Sequence, residues 1–354
     1  MHGIRRIGTL GVACLSLVAF TVLGTTAASA KPTADVLLSG LSSPKGLAIG
    51  TDGNPVVGQG TFGPPGPILS YVLRGPGRGS TVELVDNAGV VDVAQAPDGA
   101  GWALGTDRTL YRQETDGTIH AVLNIRAYQK TDPDPVDQDD FPTESNPYGL
   151  AVLPDGDALV SDAANNDLLR VQPNGDATTV ARFDLESIST DHLPPSSGLP
   201  PFLNAEAVPT TVTVGPDGFA YVGELKGFPF RPGSSHVWRV DPDLEGAWCS
   251  VNTPDPDCTV YAAGFTAIHD IAFNPNNGKL YVYELAADGV LAYEGGFETG
   301  DFPPAVLLKV KKHKRTELAA GELSQPGGVA VAHDGTVFVT DGMFSNGRLL
   351  QIRG

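Results

Sequence analysis

A short unit recurs six times along the chain: an apolar strand, a turn ending in glycine, a second apolar strand and a residue that closes it. The copies are SPKGLAIGTDGNPVVGQ (43–59), GVVDVAQAPDGAGWALGT (89–106), NPYGLAVLPDGDALVSD (146–162), VPTTVTVGPDGFAYVGE (208–224), AIHDIAFNPNNGKLYVYE (267–284) and QPGGVAVAHDGTVFVTD (325–341). Glycine readily takes the positive φ of a tight turn, so Gly53, Gly99, Gly156, Gly218, Gly278 and Gly335 mark six hairpins spaced 46 to 62 residues apart. One such meander cannot bury both of its faces, whereas six stacked around a ring can. Four short strands per period without helical periodicity predict an all-β, six-bladed β-propeller.

The last copy has a third strand, LLQIRG (349–354), and then the chain stops. The missing fourth strand is supplied by ADVLLSGL (34–41), which resembles the outer strands TVYAAGF and TELAAGEL. An N-terminal strand that completes the last blade closes the ring and removes an exposed sheet edge. Three long insertions, at 130–145, 187–205 and 227–235, interrupt the repeats.

Residues 1–30 stand apart: Arg5 and Arg6, an apolar run from Ile7 to Leu23, then Ala28-Ser29-Ala30. That order predicts a secretory signal peptide cut before Lys31, leaving one propeller domain over 31–354 and a secreted protein of the cell envelope or medium. The mature chain would carry 21 basic and 41 acidic side chains, a net charge of −20. Such a charge repels phosphate backbones and anionic lipid, which argues against nucleic acid as a partner. No later stretch reaches the roughly 18 to 20 apolar residues of a membrane span. A monomer is the expected state. Cys249 and Cys258, close together in an exported chain, read as a disulfide.

In a propeller the start of each innermost strand and the end of the second share one face. The second strands end at Gln59, Thr106, Asp162, Glu224, Glu284 and Asp341, and the first begin near Lys45, Asp92, Tyr148, Thr210, His269 and Asp270. Lys45, Asp92, Tyr148, His269 and Asp270 are therefore the candidate ligand-binding rim, and His269 beside Asp270 is a candidate general base. Two carboxylates about 6 Å apart repel by roughly 3 kcal/mol at an effective dielectric near 20. If the rim carboxylates converge, a hard cation such as Ca2+ would relieve them, with Asp92, Glu224, Glu284 and Asp341 as candidate ligands. The plainer reading is that each one caps the amides of a neighbouring loop. The acidic loop KTDPDPVDQDDFPTES fails the EF-hand pattern, having Asp137 where glycine is needed, and reads as solvated. There is no G-x-S-x-G elbow, H-E-x-x-H motif, P-loop or dinucleotide fingerprint.

LSSPKGLAIGTDG after the leader, SNPYGLAVLPDG, AEAVPTTVTVGPDGFAYVGEL and the closing PGGVAVAHDGTVFVTD together resemble the ScyD/ScyE family of exported NHL-like propellers. The resemblance covers nearly all of the mature chain and implies a secreted propeller without established chemistry. The leading reading is thus a binding or scaffolding propeller for a small molecule, glycan or protein. The alternative is a calcium-dependent lactonase or hydrolase resembling the gluconolactonase propellers. A third, a quinoprotein sugar dehydrogenase, rests on IHDIAFNPNNGKLYVYE, but the supporting Arg and second His of that family are not identifiable.

Overall fold

A computed structural model describes residues 33–312 and 314–353; the leader and its cleavage site lie outside the described residues. Six four-stranded antiparallel meanders succeed one another, with innermost strands Leu47–Ile49, Val90–Gln95, Pro147–Val152, Pro209–Val214, Ile268–Phe273 and Pro326–Val331. Contacts between consecutive innermost strands arrange these sheets as the six blades of a β-propeller. The N-terminal strand Thr33–Ser42 pairs antiparallel with Asn346–Arg353 as the outer strand of the sixth blade, so the ring closes as the repeat count requires.

The core lies between blades. Side chains alternate along each second strand, so one set packs against the preceding blade and the other against the following one. Ala158 and Val160 of blade 3 join Trp102 and Leu104 of blade 2, while Leu159 joins Val212 and Val222 of blade 4. The pattern continues through Tyr221 with Ile271 and Val282, and through Tyr281 with Val337 and Val339.

Three features were not legible in the repeats. A fourth insertion, residues 285–305 of blade 5, carries the helix Val290–Thr299. The 187–205 connection contains a two-stranded ribbon, Glu186–Ser189 with Phe202–Ala205. The acidic loop is also less solvated than its composition suggests: Asp134 is buried against Asn166 at 3.0 Å, and Asp132 pairs with Arg182.

Cys249 and Cys258 form the disulfide, with Cα atoms 5.2 Å apart. Ala247–Cys249 adds a parallel fifth strand to blade 3, and Cys258 opens the outer strand of blade 4, so the bond also ties two blades together. Replacing both cysteines with alanine is expected to lower the unfolding free energy by about 2.5 kcal/mol, from loop closure. Denaturant titration with and without reductant checks this; an unchanged midpoint would contradict it.

Candidate functional site

The innermost strands share an irregularity. Pro147 pairs with Asp162 and Gly149 with Ser161, so Tyr148 is an extra, bulged residue. The same shift isolates Val91, Thr210 and His269 in their own blades. A bulge leaves one residue out of the ladder and re-aims its side chain. Tyr148 and His269, from blades 3 and 5, meet edge to face with ring centroids 5.6 Å apart, and Lys45 of blade 1 lies 4.6 Å above the Tyr148 ring. Contacts between alternate blades can form only at the centre of the ring.

The next position along each strand faces the neighbouring blade. It is Gly46, Asp92, Gly149, Thr211, Asp270 and Gly328 in chain order. A Cβ on Gly149 would lie 2.6 Å from Thr211 Cα, and one on Gly328 2.6 Å from the Lys45 carbonyl oxygen, so the strands approach too closely for a side chain there. At Asp92 and Asp270 the carboxylate bridges the gap. Asp92 accepts from the Leu150 amide at 3.0 Å and lies 3.5 Å from Lys45 Nζ. Asp270 accepts from the Val329 amide at 2.6 Å and from Thr211 Oγ1 at 2.5 Å. These groups therefore knit blades 1 to 2, 2 to 3, 4 to 5 and 5 to 6.

Burial governs the protonation of this centre. It pushes Asp270 up to about 6 and Asp92 upward, each against the pull of Lys45. His269, 2% exposed, is driven down to about 3 by burial and then by Lys45, so its imidazole is neutral. Burial also raises Tyr148, which stays a phenol and touches Met343 Sδ at 3.6 Å. Among the described residues, His269 Nε2 has no hydrogen-bond partner, nor has the buried Tyr293 Oη of the insertion helix. Asp92 and Asp270 both line a channel cavity of 280 Å³ bounded by all six innermost strands, its accessible surface more polar than apolar; Tyr148 and His269 lie outside its lining.

The structure thus brings Lys45, Asp92, Tyr148, His269 and Asp270 into one centre, with Thr211 and Met343 as contributors that sequence reasoning missed. It does not bring Asp92, Glu224, Glu284 and Asp341 together. Asp341 accepts from Arg348 at 2.6 Å and from the amides of Ser324 and Gln325. Glu284, which burial pushes up to about 7, accepts from the Thr266 amide at 2.8 Å. Each closes a loop of its own neighbourhood, because the strand end points into the connection beside it rather than down the channel. The series also needs one correction: Val90 pairs with Gly105, so Gly105 and not Thr106 is the blade 2 equivalent of Asp162. Counting six residues from each turn glycine would have found it, because Gly99 to Thr106 is one step too long.

Among the described residues, one group of three ligand-type side chains has atoms within 4.8 Å of one another: Glu186, Glu224 and His236. Lys226 Nζ lies 2.9 Å from both Glu186 Oε2 and Glu224 Oε1. An internal ammonium already supplies the positive charge that a metal would bring, so this donor set fits a lysine better than a divalent ion.

No protein-family model matches the chain, and no curated protein matches it. Solved structures do resemble it. A streptogramin B lyase superposes with TM-score 0.51 and 14% identity over 91% of this chain and 98% of that one. A glucose dehydrogenase does so with TM-score 0.54 and 14% identity over 91% and 99%. The soluble aldose sugar dehydrogenase of Escherichia coli, in its apo form, gives 0.52 and 15% over 91% and 99%. At such identities the likeness is one of fold, and the fold these comparisons share with the chain is the β-propeller, one that houses enzymes among its members.

Proposed function

We propose that the protein is an exported propeller of the ScyD/ScyE type that acts as a small-molecule hydrolase, with its chemistry at the bulged centre of the channel. The observation that carries this reading is the meeting of Tyr148 and His269, re-aimed by bulges, beside two carboxyls that line the channel cavity. Lys45, Asp92 and Asp270 have a structural account in joining blades; the unpartnered His269 Nε2 has none, and an idle buried polar atom is costly unless something binds it. Asp270, pushed up to about 6 by burial, is suited to take a proton from water at neutral pH, while neutral His269 and Tyr148, beside the cavity rather than in its lining, would orient a carbonyl group at its edge. A neutral lactone or ester suits a strongly acidic protein better than an anionic substrate would. Calcium is not required by this scheme. That propellers of this shape include lyases and dehydrogenases supports an enzymatic over a purely scaffolding role.

The test is hydrolysis of γ- and δ-lactones and of p-nitrophenyl acetate by the mature protein, with and without chelator. Turnover should rise with pH through about 6, survive chelation, and fall about 100-fold or more in Asp270→Asn with the melting temperature recorded alongside. No turnover of any of these substrates by the folded protein would overturn the hydrolase reading. The second reading is a binding propeller, favoured by the near-complete burial of His269. It predicts that the same lactones raise the melting temperature without being consumed, and that His269→Gln removes the shift.

A further inference from the structure

The interface between blades 1 and 2 differs from the others in the ring. Toward the preceding blade, the second strands present Ala158 and Val160, Ala220 and Val222, Leu280 and Val282, and Val337 and Val339 in blades 3 to 6. Blade 2 presents Gly101 and Ala103 at the same register. Toward the following blade the central side chain is Trp102, Leu159, Tyr221, Tyr281 or Phe338, but Val56 in blade 1. Both walls are therefore at their smallest in one interface. A cleft of 560 Å³ results, within the range of about 300 to 1,000 Å³ of small-molecule sites.

The cleft has an apolar floor of Val56, Ile68 and Ala103 and, at its mouth, the exposed apolar side chains Leu84 and Ile119. Its polar rim includes Asp86, Asp107 and Glu114. Asp107 accepts from Tyr111 Oη, and Glu114 pairs with Arg112, whereas Asp86 pairs with no cation among the described residues. Nothing steric closes the space, since a Cβ on Gly101 would meet its nearest neighbour, Gln113, at 3.8 Å.

We propose that this cleft, which adjoins the channel cavity at Ala48, Val93, Ala94 and Gln95, is a second ligand site for a largely apolar organic cation. The body of the ligand would take the volume that Ala/Val or Leu/Val pairs fill elsewhere in the ring, and its charge would face Asp86. The anionic protein as a whole would favour the same sign of ligand.

Fluorescence titration with proflavine, a planar cation, tests this, with the anionic dye 1-anilinonaphthalene-8-sulfonate as comparison. Saturable one-site binding of proflavine is expected, weakened at least tenfold in Gly101→Ala/Ala103→Val and weakened by salt and by Asp86→Asn, with no saturable binding of the anion. The double variant gives blade 2 the pair that blade 3 already carries, so its melting temperature should be kept or raised. Should the double variant unfold, Gly101→Ala alone must still weaken binding. Absence of saturable proflavine binding, equal binding in the filled protein, or preference for the anionic dye would overturn the proposal.

Discussion

Replacing Lys226 with methionine is expected to lower the unfolding free energy by about 3–5 kcal/mol, the usual effect of removing one partner from a buried ion pair. Glu224 is fully buried and accepts from the His236 amide at 2.9 Å, His236 Nδ1 at 2.5 Å and Trp238 Nε1 at 3.0 Å, in addition to its contact with Lys226. Without the ammonium, the Glu224 and Glu186 carboxylates would face each other with His236 alone between them. The double variant Lys226→Met/Glu224→Gln should recover a substantial part of the loss, because it removes the stranded charge. Urea denaturation followed by tryptophan fluorescence measures both; a single-variant loss below about 1 kcal/mol would mean that the pair is not buried as described.

The pH dependence has a defined sign. Burial raises Glu224, but Lys226 and His236 outweigh it and hold the carboxyl below its ordinary 4.5. Its stabilisation is present above that value and is lost as pH falls through the lower folded value. Burial lowers Lys226, but Glu224 and Glu186 outweigh it and hold the ammonium above its ordinary 10.5. Its contribution is complete below 10.5 and disappears as pH rises through the higher folded value. The pair should therefore stabilise the protein across the whole interval from about 4.5 to 10.5, and the variant's deficit should shrink outside it.

Deleting residues 33–40 is expected to make the protein aggregate at micromolar concentration. The strand Thr33–Ser42 makes eight registered pairs with Asn346–Arg353. Its loss exposes a long, unpaired edge on the sixth blade, the kind of edge that templates association between chains. Few of its side chains are buried apart from Leu41 at 3%, so the main loss is edge protection rather than core. A synthetic peptide covering 33–42 should restore solubility and the melting temperature when added in trans, by strand addition. Light scattering and thermal melting would read this, and a truncated protein that stays soluble and melts as before would refute the role.

The two predictions draw on different levels of information. The closing strand was legible in the chain because a four-strand period leaves a remainder: a last copy short by one strand and an N-terminal segment that resembles the missing one. The polar centre was legible in part. Lys45, Asp92, Tyr148, His269 and Asp270 stood out by position in the repeat, but their division into a bulged layer that meets at the ring centre and a second layer that joins blades and lines the channel cavity was hidden. A bulge changes the pairing register by one residue without leaving a mark in composition. The error at Thr106 is of another kind: it is a one-residue miscount along the second strand, visible from the turn glycine, and such a slip reverses which face a side chain takes.

The Glu224–Lys226 pair and the cleft beside Gly101 lay further out of reach. Lys226 follows the strand end by two residues, and the turn that swings it back onto Glu224 has φ 71° there, a conformation that only the surrounding contacts select. Likewise, Gly101 and Ala103 look unremarkable among other small residues until Val56 is known to face them.

By itself, then, the sequence determined the number of blades, the closure of the ring and the residue types on one rim, because repetition and alternation are properties of a chain. Which carboxylates share a centre, which are silenced by a lysine or an amide, and where two small surfaces leave a void were decided only by tertiary structure. Each depends on the distance between side chains from different blades, and no single repeat encodes that distance.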